Sequence, residues 1–106
     1  MKRRRKRGAP GGLGGTKTEH VGAGEYYLTK VEPALDEART ALSGSVSCSR
    51  AFAHLSTASV AASAAATEAS WVGKATRRDD HFHGRVSRAA IDVTAMERKF
   101  MKVCVR

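Results

Sequence analysis

Lys2, Arg3, Arg4, Arg5, Lys6 and Arg7 form six consecutive cations near the start of the chain. Cations at that density suit a row of phosphates, because each neutralised phosphate releases condensed counterions and so drives binding. The segment that follows, Gly8 to Gly15, is rich in glycine and holds Pro10, so these charges sit on backbone with no preset geometry. Such a string can track a phosphate backbone but cannot enter a groove as a rigid reader, and Lys17 extends it. The same six residues match a nuclear localisation signal, so targeting, docking on an acidic protein and plain solubilisation stand beside nucleic-acid contact as readings. A second basic group, Lys74, Arg77, Arg78, Arg85 and Arg88, is interrupted by Asp79 and Asp80. It reads either as a further phosphate site or as a solvated turn with local ion pairs.

Other chemistry is sparse. His81 and His83 lie beside Asp79 and Asp80, but two positions apart on a helix start they point in different directions and form no recognised ligand set. Their reading is polar residues around a buried Phe82, with no metal and no other cofactor implied. His20 and His54 are isolated, and no Ser, His and Asp arrangement is present. Gly11, Gly12, Gly14 and Gly15 follow no strand, so they are not a phosphate-cradling loop. Acid, base and nucleophile do not converge, and the chain is expected to be non-enzymatic. Trp71, Phe52, Phe82 and Phe100 are assigned to the core, leaving only Tyr26 and Tyr27 for stacking on bases. Salt-sensitive, backbone-directed contact with DNA or RNA therefore fits better than sequence readout.

The elements that must carry these residues are helices. Leu28, Val31, Leu35, Ala38 and Leu42 step by three and four, and Gly44 stops the pattern. The spacing predicts a first helix over about 25–43 with a bend at Pro33; Thr29 to Glu32 offers a capping box as an alternative start. A second helix is predicted from Ser45 or Ser47 through Ala75, with Phe52, Leu55, Ala62, Ala69 and Val72 on one side and Val60, Ala64 and Trp71 on another, as for a central, sandwiched element. The third has the cleanest seam: Phe82, Val86, Ala89, Val93, Met96, Phe100 and Val103, with Asp79 or Asp80 as N-cap. Gly84 costs it about 1 kcal/mol relative to alanine. Short connections then imply an all-α, antiparallel three-helix bundle with a long helix 2–helix 3 hairpin. In that hairpin, counting at 1.5 Å per residue brings Cys48 and Cys104 to nearly the same height. They are a candidate disulfide, which would close a long loop and add about 4 kcal/mol. In a reducing compartment they read instead as two small buried thiols.

Charge divides the chain in the same way. The 106 residues carry a formal +9, of which residues 1–21 hold +6, residues 22–44 hold −2 and residues 45–106 hold +5. The expected organisation is a disordered polybasic arm over 1–23 and a helical bundle over 24–106, because the arm has too few large apolar side chains to offset its ordering entropy. No apolar run approaches the roughly 20 residues that span a bilayer, and the glycine-rich start is no hydrophobic signal region, so neither membrane insertion nor secretion by a cleaved signal peptide is expected.

The Lys/Arg start with its glycine-rich continuation, the segment Ser47-Cys48-Ser49-Arg50-Ala51-Phe52 and the ending Phe100 to Arg106 resemble small basic helical proteins of bacteriophage genomes. That resemblance implies a viral protein in a bacterial cytoplasm or virion; the same arm in a eukaryotic cell would direct the chain to the nucleus. The function expected is non-specific nucleic-acid binding, with packaging or compaction as its setting. The rival is an oligomerising module in which the third helix's seam pairs with another copy and the arm docks on an acidic partner.

Overall fold

The computed structural model describes residues 16–72 and 77–105, with the backbone alone for 77–79. Three helices, α1 (Lys17–Ala41), α2 (Cys48–Val72) and α3 (Arg77–Cys104), account for the secondary structure among the described residues, and no strand occurs there. The start of α1 lies beside the end of α2, and the start of α2 beside the end of α3. α1 and α3 run the same way, as Glu25 with Arg85 near one end shows. The arrangement is therefore up, down, up, the topology that short connections favour.

α1 starts well before the predicted residue 25, and the arm does not extend to residue 23. The hydroxyl of Thr16 accepts from the Glu19 amide at 3.1 Å, and the Glu19 carboxylate accepts from the Thr16 amide at 2.9 Å. This reciprocal capping box satisfies two helix-start donors and outweighs the cost of Gly22 and Gly24. Thr29 is not a cap; its hydroxyl donates to the Tyr26 carbonyl inside the helix. α1 continues through Pro33, which lies on the exposed side, where water can meet the carbonyl that the ring deprives of a partner. Gly44 then supplies the left-handed backbone, φ 58°, that turns the chain toward α2.

Ser47 caps α2, accepting from the Arg50 amide at 3.4 Å. The predicted caps of α3, Asp79 and Asp80, instead fall within its first turn, since the helix begins at Arg77. Acidic residues suit that turn as well as the cap, because both lie at the positive end of the helix dipole.

The core joins Leu28, Val31, Leu35 and Leu42 of α1 to Leu55 and a row of alanines on α2 and to Phe82, Val86, Val93 and Met96 of α3. Ala51, Ala58, Ala62, Ala65 and Ala69 give α2 a smooth inner face. Side chains that short let α1 lie close against it. The α3 seam is buried in this core, with Phe82 at 2% exposure, so it faces the chain's own helices and not a second copy. Phe100 and Val103 at its far end are only partly buried. Two of the aromatic residues assigned to the core lie outside it: Phe52 is 60% exposed and Trp71 is nearly half exposed. Both rings lie at the flanks of α2 and not on its alanine side, Phe52 against Phe100 of α3 and Trp71 against His20 of α1. No described helix is long and apolar enough to cross a membrane.

Candidate functional site

Of the cations singled out in the sequence, Lys17, Arg85 and Arg88 are those whose side chains are described. Lys2 to Arg7 and Lys74 lie outside the described residues, and so do the side chains of Arg77 and Arg78, whose backbone forms the first turn of α3. Lys17 opens α1 on an exposed position. Arg85 and Arg88 project from α3 into the groove between α1 and α3, about 1040 Å³ in volume. Its floor is apolar, formed by Leu28, Val31, Leu35, Ala89 and Met96, and its walls mix signs: Glu32, Asp36, Asp80 and Asp92 alternate with Arg39, Arg85, Arg88 and Lys99. Arg85 reaches across to Glu25 at 3.3 Å, and Arg39 is held by Asp36 at 2.6 Å. A groove with carboxylates among its cations is no continuous phosphate track, and half-exposed pairs of this kind add little stability. Arg88, exposed on the same helix, remains the described cation of the second group best placed to reach a phosphate.

The two cysteines are joined. The Cys48–Cys104 disulfide, with its Cα atoms 5.8 Å apart, ties the first residue of α2 to the last of α3. It closes the end of the hairpin opposite the α2–α3 connection.

At that other end the sequence reading missed a polar cluster. His20, read there as an isolated arm residue, is 2% exposed, and its Nδ1 lies 2.7 Å from Oε1 of Glu68, which is 6% exposed. The ring of Trp71 stacks on the imidazole, with centroids 5.8 Å apart and planes at 15°. Gly24 leaves room beneath for the Phe82 ring. A buried histidine–carboxylate pair is a familiar catalytic element, but here protein covers both groups and a substrate could not reach the reacting atoms. The pair fixes the start of α1 onto the end of α2. The histidine's place is legible in the sequence: His20, Ala23, Gly24 and Leu28 extend the three-and-four spacing of Leu28, Val31 and Leu35 a little over two turns backward.

His81 is exposed and His83 half-buried, its Nε2 enclosed without a hydrogen-bond partner. Among the described residues no three His, Cys, Asp or Glu side chains gather as a metal site. Tyr26 is exposed with the Lys30 ammonium 4.9 Å from its ring centroid, and Tyr27 packs partly against the core. No protein family model, curated protein or solved structure matches this chain.

Proposed function

We propose that this protein is a non-enzymatic nucleic-acid-binding protein whose contacts are mainly to phosphates, with packaging or compaction as its setting. The observation that carries the reading is the run of six cations, Lys2 to Arg7, placed ahead of a helix whose start is fixed by the Thr16–Glu19 capping box. The helices serve as a stapled body that carries this charge. Lys17 and Arg88 add exposed cations, while the mixed walls of the α1–α3 groove favour contacts from the arm over contacts from the body. A run of cations that meets phosphates binds DNA or RNA alike and is indifferent to base sequence.

The test is a salt titration of binding to a generic duplex. Each phosphate neutralised contributes about 0.9 to the slope of log affinity against log salt. Deleting residues 2–7 is expected to reduce that slope by up to about five units with the helical content retained. Equal affinity and equal slope for the full-length and deleted proteins would overturn the reading and leave the arm as a targeting segment or a dock for an acidic protein.

A further inference from the structure

From Ala51 to Trp71 the solvent half of α2 carries no Asp, Glu, Lys or Arg; Arg50, exposed in the first turn, borders it. Its exposed positions are Phe52, Ala53, Thr57, Val60, Ser63 and their like, whereas the exposed sides of α1 and α3 are studded with charge. The large side chains on it are not shielded: Phe52 is 60% exposed and Val60 70%. Ser56 and Val60 form a ridge between two apolar grooves. One, about 470 Å³, is walled by Tyr26, Tyr27 and Lys30 of α1, and the other, about 490 Å³, by Glu97, Phe100 and Met101 of α3, so charge of either sign stands only at the outer edges. A ridge flanked by grooves is the relief that one helix packs against another.

We propose that this face is a self-association surface and that its occupant is the same face of a second copy. Charge selects the occupant. A chain of formal +9 repels its own copies over most of its surface, and the uncharged half of α2 is where two copies can meet without opposing like charges. A partner of another kind would need a strip equally free of charge and lined with small side chains, which this chain itself provides. Size is sufficient: 21 residues at 1.5 Å extend about 32 Å, and with both grooves a strip about 20 Å wide buries about 630 Å² per copy. Stable interfaces bury about 600–1,000 Å² per partner. The interface is isologous, so Val60, one residue from the middle of the uncharged span, lies opposite its counterpart whichever way the two helices run.

The experiment uses the full-length oxidised protein and measures its mass by light scattering over a concentration series. Salt near 1 M, where the Debye length is about 3 Å, removes the repulsion of the cationic regions. The mass should approach twice 11.3 kDa for the wild type. Val60→Glu and Val60→Lys, tested in moderate salt and with helical content checked by circular dichroism, should each be monomeric alone and regain the doubled mass when mixed. Ser87→Glu, a new charge on an exposed position of α3, should associate as the wild type does. A monomeric wild type, Glu and Lys variants that keep the doubled mass alone, or a mixture that stays monomeric would overturn the proposal. It does not depend on nucleic-acid binding, so failure of either reading leaves the other standing.

Discussion

Two glycines with the same side chain have opposite roles here. A Cβ at Gly24 would overlap the Phe82 ring, leaving Cε1 only 2.6 Å away, and that ring is enclosed by the core and cannot swing aside. Gly84 has nothing within 4 Å of a new Cβ. Gly84→Ala should therefore raise stability by about 1 kcal/mol through helix propensity alone. Gly24→Ala gains the same term but overpacks the core at a cost of about 1–3 kcal/mol, so it should be neutral at best and usually destabilising. Urea unfolding of the two variants checks this, and an equal gain from both would mean that Phe82 does not fill the space beneath Gly24. The difference could not be read from the sequence, where both positions count only as weak points in a helix. His20 was misread for a related reason: two glycines and a nearby charge run signalled an arm, although its spacing from Leu28 already marked the buried side. No spacing rule pointed to Glu68, because a lone acid on an alanine-rich helix is ordinarily solvated and its burial depends on a partner 48 residues away.

Among the elements, α3 was the most legible, since Phe82, Val86, Ala89, Val93 and Met96 carry an unbroken three-and-four pattern and all five are buried. α2 was the least legible. An apolar residue on an alanine-rich helix can face either way, and Phe52 and Trp71 took the outer side because the inner one is packed by alanines. The hairpin of α2 and α3 leads to a prediction about its far end. The Cys48–Cys104 bond joins residues 56 apart, and in the chain-entropy model closing a loop of that size adds about 4 kcal/mol. Each kcal/mol moves the melting temperature of a domain this small by about 4–8 °C. The oxidised protein should thus melt well above the same protein in reductant, and Cys48→Ser with Cys104→Ser should match the reduced form. Coincident melting curves with and without reductant would show that the bond does not form or that the unfolded chain is already as restricted. Residue counting along the hairpin brought the two cysteines level, but a thiol pair and a disulfide share that geometry, and only the joined sulfurs separate them.

At the scale of the whole molecule, charge and fold are divided between different parts of the chain. Residues 1–21 hold +6 of the formal +9, yet the described core takes its first members, His20 and Ala23, only where that segment ends. Two of the remaining cations are offset locally, Arg85 by Glu25 and Arg39 by Asp36. If the body only carries the cationic segment, their contributions to phosphate binding should be independent. A synthetic peptide of residues 1–15 should bind duplex DNA with a slope of about five, six cations each contributing about 0.9. Protein lacking residues 2–7 should keep the smaller slope of the helical body, and the two should add to the full-length value. The same affinity ranking should hold for duplexes of differing base composition, because contacts to phosphates carry no sequence information. A full-length slope well above the sum would instead mean that the helices and the arm form a joint site, with Arg88 and Lys17 the first positions to substitute. A slope well below it would mean that the acidic side chains of the α1–α3 groove, Glu32, Asp36 and Asp92 among them, compete with phosphate for the arm. In that case Asp92→Asn should restore part of the missing slope, since removing a competing carboxylate returns cations to the nucleic acid.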